Sequence, residues 1–204
     1  MEFKQLPKTK QRAILNAGMK YFGKCGFQKA RCEDIAREAE ISKGLLFYYF
    51  KNKKDFYFYL YHYCECLTNQ FVQTEELERI DDFFDLMDYG ARRKALMLKE
   101  YPYLLDFVMQ AFHSEKETVS KELNEIYVKR LNETYSLYFK NIRWDRFKPE
   151  VDPKKIYQML LWMSEGYLIE QKKQNKELDV DQLIREFHCW KIMFRKWTYR
   201  KEYL

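Results

Sequence analysis

The 204-residue chain is 47% hydrophobic and 18% aromatic, and it contains only six glycines and four prolines. This composition provides for a substantial core and favours a helical protein with short connections. The sequence has no run of eighteen apolar residues, no secretion signal pattern and no cysteine spacing typical of a disulfide framework or a zinc site, so we expect an unexported cytoplasmic protein without a membrane span or a bound metal.

Positive charge is concentrated at the amino-terminal end of the chain. Residues 1–54 contain thirteen Lys and Arg against five Asp and Glu, whereas residues 55–204 contain twenty-four against twenty-six. A polyanion is the partner that such a segment attracts, and nucleic acid is the foremost polyanion. A membrane surface is the alternative, but no segment there is both basic and apolar along one broad face. We therefore expect a nucleic-acid interface within residues 1–54.

The first part of the chain predicts three helices. Thr9 as N-cap and Gly26 as the residue after the last turn delimit a helix over 9–25. A second helix over about 32–38 opens with two acidic residues, which suit the positive end of a helix dipole. Ser42 is placed to cap a third helix, whose buried positions are Leu46 and Phe50.

The other faces of the third helix predict contacts with DNA. A short helix in the major groove needs side chains for base edges and thymine methyl groups, and it needs hydrogen-bond donors for phosphates beside them. The alternative is an ordinary helical hairpin whose basic face is only solvated. The candidate DNA-binding residues are Arg31, Cys32, Lys43, Gly44, Leu45, Phe47, Tyr48, Tyr49 and Lys53.

The remainder of the chain also shows helical periodicity and no strand pattern. Tyr101-Pro102-Tyr103 predicts a break between two helices, and Asp152-Pro153 predicts the cap and first residue of another. The predicted helices cover 53–72, 81–100, 104–112, 115–141, 153–173 and 181–199. We therefore expect an all-α protein of about nine helices.

The segment around the third helix resembles the DNA-binding domain of the TetR family of bacterial transcription regulators. The matching positions, in register and without a gap, are Ile35, Ala36, Ala39, Ser42, Lys43, Gly44, Leu46, Tyr48, Tyr49, Phe50, Lys51 and Lys53. The resemblance implies a helix-turn-helix domain at 1–54 and a larger helical domain for effector binding and dimerisation at 55–204. It also implies that the helices within 153–199 pair with those of a second subunit; the alternative is that they close a monomeric bundle.

The sequence departs from the family pattern in three places. Glu40 stands where the family usually has glycine in the turn, Leu45 replaces a small residue, and Arg31-Cys32 replaces threonines. A left-handed backbone at Glu40 would cost about 1 kcal/mol. The position of Cys32 in the first turn of a helix, beside Arg31, predicts a lowered thiol pKa and an oxidation-sensitive surface.

The resemblance implies a homodimeric repressor that a small apolar or amphipathic effector releases from a palindromic operator on double-stranded DNA. An architectural DNA-binding protein without an effector is the alternative. We expect no enzyme activity and no cofactor, because the sequence lacks GxSxG, HExxH and glycine-rich phosphate-loop patterns.

Aromatic residues of the later helices are the candidates for an effector site. The predicted effector-binding residues are Phe84, Tyr103, Phe107, Trp162, Glu165 and Tyr167. These side chains could instead form plain core. Glu165, the acid inside the apolar stretch 159–169, would need a cationic partner if it were buried, either an effector or a basic side chain of the protein.

Overall fold

A computed structural model describes residues 2–72, 75–113, 119, 138–174, 176 and 179–204. These residues contain eight α-helices and no strand longer than the isolated bridge between Phe147 and Tyr199, so the all-α prediction is confirmed. The helices are α1 (Lys8–Lys29), α2 (Cys32–Glu38), α3 (Lys43–Phe50), α4 (Lys53–Val72), α5 (Phe83–Glu100), α6 (Leu104–His113), α7 (Pro153–Lys173) and α8 (Val180–Thr198). Most of the helix predicted over 115–141 lies outside the described residues.

The chain divides into two compact units. The first unit falls within residues 1–70 and 100–135, and the second within residues 71–99 and 136–204. The first therefore contains α1 to α4 and α6, while the second contains α5, α7 and α8. The domain boundary predicted between residues 54 and 55 stays a prediction.

Aromatic rings and a close helix crossing hold the first unit together. The ring of Tyr57 lies 4.9 Å from that of Phe22 and 5.1 Å from that of Phe107, and all three side chains are fully buried. At Gly23 the backbone of α1 approaches that of α6 so closely that a Cβ atom would lie 2.8 Å from the backbone nitrogen of Phe107. Glycine is required there because the neighbouring atoms belong to the main chain.

Helix α1 differs at both ends from the prediction. It begins at Lys8, directly after Pro7, so Thr9 is inside the helix and is not its N-cap. It continues to Lys29, but Gly26 interrupts it with φ 76° and ψ 170°. This left-handed φ favours glycine. The regular part of α1 therefore ends before Gly26, as predicted.

Asp82 organises the beginning of α5 in the second unit. One carboxylate oxygen accepts hydrogen bonds from the backbone nitrogens of Phe84 at 2.9 Å and Asp85 at 3.1 Å, so α5 begins at Phe83 rather than at the predicted residue 81. The other oxygen accepts from Arg146 at 2.7 Å and Arg195 at 3.2 Å. Asp82 is almost fully buried, and these bonds connect three separate segments of the unit.

Aspartate side chains cap the last two helices, and the first of these caps was predicted. The Asp152 carboxylate accepts from the Lys154 nitrogen at 2.9 Å, and Pro153 is the first residue of α7. Asp179 caps α8 through the Gln182 nitrogen at 2.9 Å, so that helix begins at Val180 rather than at residue 181. Both helices expose large apolar side chains, namely Met159, Trp162, Ile192, Met193 and Trp197. None of the helices in the described ranges has the length and hydropathy needed to cross a membrane.

Candidate nucleic-acid interface

Helices α2 and α3, with the turn between them, form the segment that the sequence analysis assigned to DNA. The Ser42 hydroxyl accepts a hydrogen bond from the Leu45 backbone nitrogen at 3.1 Å, which is the predicted N-cap. Leu46 and Phe50 are buried, as predicted from their spacing. Because these two anchors lie one helical turn apart, they fix which faces of α3 remain outside.

The turn between α2 and α3 contains a left-handed residue other than glycine. Glu40 has φ 53°, so the backbone is left-handed here although the residue is not the glycine of the family pattern. The Lys10 ammonium donates to the backbone oxygens of Ala39 and Glu40, at 3.0 Å in each case. A cation at the end of α2 satisfies carbonyl groups that lack helical partners and opposes the negative end of the helix dipole. Lys10 therefore stabilises a turn in which Glu40, and not glycine, has a left-handed backbone.

The outer side of α3 presents both polar and apolar groups. Lys43, Gly44, Leu45 and Tyr48 are exposed, and the Tyr48 side chain is 65% exposed. In a soluble domain a tyrosine with that exposure is available for contact with a partner.

Phe47 and Tyr49 are only half-buried, and Tyr49 has a structural role as well. Its ring lies 5.9 Å from the ring of Phe3, which belongs to a 3₁₀ turn before α1. Phe3 is buried against Phe50 at 4.8 Å and Tyr59 at 5.3 Å. The sequence analysis missed Phe3, and an aromatic residue close to the amino terminus was the available signal.

Lys43 forms an ion pair across the two helices. Its Nζ atom lies 2.5 Å from Oε1 of Glu33, in the first turn of α2. The hydrogen bond from Lys43 lowers the pKa of Glu33, and the bond to Glu33 raises the pKa of Lys43, so both groups stay charged at neutral pH. A phosphate or base that recruits Lys43 must compete with this carboxylate.

Lys53 is also engaged within the protein. Its Nζ atom donates to the backbone oxygen of Gln28 at 3.0 Å and lies 5.1 Å from the centre of the Phe27 ring. A lysine ammonium has three donors, so this single hydrogen bond leaves capacity for a phosphate. The predicted phosphate contact of Lys53 stays a prediction, as do the contacts of Arg31, which is exposed beside α2.

Cys32 does not have the predicted thiolate character. The residue is buried, and this burial raises the pKa of its thiol above the ordinary value. Lys53 and Lys43 act in the opposite direction, but desolvation is the larger effect. The predicted lowering of the Cys32 pKa is therefore wrong, and the residue acts as small apolar packing against the first unit.

The predicted effector-binding residues are distributed over both compact units. Phe107 of α6 and Tyr103, in the turn directly before α6, belong to the first unit, whereas the other four belong to the second. Phe84 is fully buried against Tyr199, at 5.0 Å between ring centres. Phe107 is likewise part of a buried aromatic core.

The three candidates on α7 have different surroundings. Trp162 is 57% exposed. Tyr167 is half-buried, and its ring lies 6.2 Å from the Trp190 ring of α8. Glu165 is half-buried between them along the helix. Their role in effector binding stays a prediction. In the described ranges, His, Cys, Asp and Glu side chains form no group of three or more that could hold a metal ion.

The family comparison agrees with the geometry of the first unit. A family model described as "Bacterial regulatory proteins, tetR family" matches residues 14–60, which extend from α1 into α4 and include the whole of α2 and α3. Residues 14–60 are therefore a TetR-family amino-terminal domain. No curated protein matches the chain.

Solved structures of TetR regulators share the fold beyond that domain. The fatty acid degradation regulator FadR from Bacillus halodurans aligns with a TM-score of 0.66 and 16% identity, covering 88% of this chain and 96% of that one. FadR from Bacillus subtilis, solved with stearoyl-CoA, aligns with a TM-score of 0.61 and 16% identity, over 86% and 94%. NalD from Pseudomonas aeruginosa, the secondary repressor of the MexAB-OprM multidrug efflux pump, aligns with a TM-score of 0.61 and 21% identity, over 95% and 98%. At these identities the similarity establishes the TetR-like fold.

Proposed function

We propose that this TetR-family protein is a homodimeric repressor, which binds a palindromic operator and leaves it when a small effector binds its second unit. The main support for a DNA-binding role is the fixed orientation of α3. Its cap at Ser42 and its anchors Leu46 and Phe50 leave Lys43, Gly44, Leu45 and Tyr48 outside. Lys43 would serve as a cationic donor, and Leu45 would contact thymine methyl groups.

The exposed apolar surface of α7 and α8 supports a homodimer. Trp162 and Trp197 are each 57% exposed, and a monomeric protein rarely leaves several large apolar side chains of adjacent helices in water. A second copy of the same two helices would cover them. An isologous contact of this kind gives a twofold axis, and a twofold dimer matches a palindromic DNA site.

The family fold supports an effector-responsive regulator. One of the similar structures is described as the fatty acid degradation regulator FadR, and another, the transcriptional regulator FadR from Bacillus subtilis, was solved with stearoyl-CoA. For the present chain we propose a small molecule that is largely apolar. The proposal assigns no catalytic step to the protein.

Selection from a pool of random duplexes tests the DNA-binding role. We expect the purified protein to enrich a palindromic site, and we expect the logarithm of its affinity to fall linearly with the logarithm of salt concentration. Lys43→Ala should weaken binding to that site by about ten-fold or more, because a charge-assisted contact to a base is lost. Lys176→Ala, an exposed lysine of the second unit, is the control. Enrichment of no sequence, or equal affinity of Lys43→Ala and wild type, would contradict the assignment.

A further inference from the structure

Lys94 occupies an unusual position on helix α5. At 100° per residue, it lies in the middle of the face that contains the buried residues Phe83, Met97 and Leu98. On this face Gly90 lies four residues before Lys94, and Met97 and Leu98 lie three and four residues after it. A lysine at the centre of an apolar stripe is rarely left without a function or a partner.

The surroundings of Lys94 combine two properties. Its side chain has substantial accessible surface, although Met97 and Leu98, the next residues of this face, are buried. Desolvation nevertheless lowers the pKa of the ammonium group. A lysine that extended into bulk water would be accessible and fully solvated. We interpret the two properties together as a side chain that is accessible but lies within a recess of the protein and not in bulk water.

Gly90 gives an independent indication of that space. It lies one turn before Lys94 on the same face, and a Cβ atom built on it would have no neighbour within 4 Å. Close-packed helix faces do not normally leave such room. Open space therefore adjoins α5 at Gly90, one turn from Lys94 on the same face.

Within the described ranges, Lys94 also has no counter-ion. None of the ion pairs among the described residues includes it, and burial is the cause of its altered pKa. The other charges of α5 face elsewhere: Asp88 pairs with Lys191 at 2.9 Å, and Lys99 pairs with Asp181 at 2.9 Å. A desolvated and unpaired ammonium is unfavourable by itself, so an anion placed beside it would be strongly favoured.

We infer that Lys94 is the anchor for the anionic head group of an amphipathic ligand whose apolar body lies along α5 beside Gly90 and Met97. The inference rests on the proposed function, because it specifies the chemical class of the effector. The ligand has an anionic oxygen group, such as a carboxylate, at one end and a hydrocarbon portion behind it. A cation would be repelled from this site, in contrast to the cation considered beside Glu165.

Direct binding of matched probes tests the inference without requiring the natural ligand. Decanoate, decanol and decylammonium have the same hydrocarbon chain and differ in the charge of the head group. We expect wild-type protein to bind decanoate most tightly and decylammonium least tightly in calorimetric titrations. Lys94→Met should weaken decanoate binding by about ten-fold or more, the loss expected for a charge-assisted hydrogen bond, while decanol binding changes little. Lys94→Arg should retain most of the affinity for decanoate.

A pH series distinguishes a direct contact from a structural effect. The affinity of the wild type for decanoate should fall as pH rises through the pKa of Lys94, because only the ammonium form attracts the carboxylate. The residual affinity of Lys94→Met should lack this fall. Lys99→Met, which removes an exposed lysine of the same helix, is the control and should behave as wild type.

Three results would overturn the inference: no binding of decanoate to the wild type, equal affinity of wild type and Lys94→Met, or an equal loss in Lys99→Met. Operator binding without a probe is measured in parallel. Decanoate that binds through Lys94 but leaves the operator complex unchanged would support the anion site and contradict the proposed release mechanism. The two ideas are therefore tested separately.

Discussion

The ammonium group of Lys10 in α1 donates to the backbone oxygens of Ala39 and Glu40, the last residues before the turn that leads into α3. A side chain of one helix thus holds the end of another, next to a residue with φ 53°. The orientation of α3 depends on this turn, because only Ile41 and Ser42 separate Glu40 from its first residue.

Lys10→Met should destabilise the first unit by about 1 kcal/mol, the usual net value of such hydrogen bonds. The apolar part of the side chain is retained, so the change reports on the ammonium group. Urea unfolding followed by circular dichroism measures the difference. Lys8→Met, a neighbouring exposed lysine of the same helix, is the control and should change stability little. Equal effects of the two substitutions would show that Lys10 does not support the turn.

Glu33→Gln should strengthen DNA binding several-fold at low salt. The substitution frees Lys43 from its 2.5 Å ion pair and removes a negative charge from the surface that we propose contacts DNA. Gel-shift titrations with the selected operator measure the effect, which should decrease as salt rises. Glu38→Gln removes the same charge from the same helix but releases Lys20 of α1 instead. An increase that is equal in the two variants would indicate a general charge effect and contradict a specific role of the Lys43 pair.

Trp162→Glu together with Met193→Glu should convert the proposed dimer into monomers. Charged side chains in an apolar contact between subunits must lose water without gaining partners, which costs several kcal/mol. Sedimentation velocity at micromolar protein concentration measures the oligomeric state. Leu96→Glu changes a large apolar side chain of α5 that is 52% exposed, and it should leave the dimer intact. A double variant that sediments as wild type would place the subunit contact elsewhere.

Lys94→Met should stabilise the ligand-free protein at neutral pH, and the gain should shrink as pH rises towards 10.5, the ordinary pKa of lysine. Burial lowers the pKa of Lys94 in the folded protein. At a pH below this lowered pKa, Lys94 is protonated in both the folded and the unfolded state, so the folded wild type carries the full cost of desolvating the ammonium group. Between that pKa and 10.5 the unfolded state binds more protons, and the stability of the wild type therefore rises with pH. The difference in Tm between variant and wild type, measured across this range, reports the effect. A difference that stays constant with pH would mean that Lys94 is ordinarily solvated.

Local features of the fold were predictable because short-range chemistry determines them. Ser42 caps α3 through a backbone nitrogen only three residues away, and the same holds for Asp179 and α8. The turn at Glu40 followed from the family pattern. Each of these interactions lies within a few positions of the sequence, where residue type and spacing carry enough information.

Long-range contacts explain most of what was missed. Lys10 and Glu40 are thirty residues apart in the sequence, and Phe3 and Tyr59, whose rings are in contact, are further apart still. The pKa of Cys32 was predicted from the helix end and Arg31, but burial by distant residues is the larger effect. Lys94 did have a local signal, because a cation in the middle of an apolar helical stripe can be read from spacing alone. The open space beside Gly90 has no counterpart in the sequence.

The five cysteines differ in how well a reagent can reach them. Cys32 and Cys64 are buried and Cys25 is partly covered, whereas Cys66 and Cys189 are exposed. Cys66 belongs to the first compact unit and Cys189 to the second, so the natural chain already has one reactive attachment point in each. A pair of spin labels on these thiols would give a distance distribution between the two units without any introduced cysteine. Spectra recorded with and without an effector candidate such as decanoate would then show whether the units change their spacing when it binds.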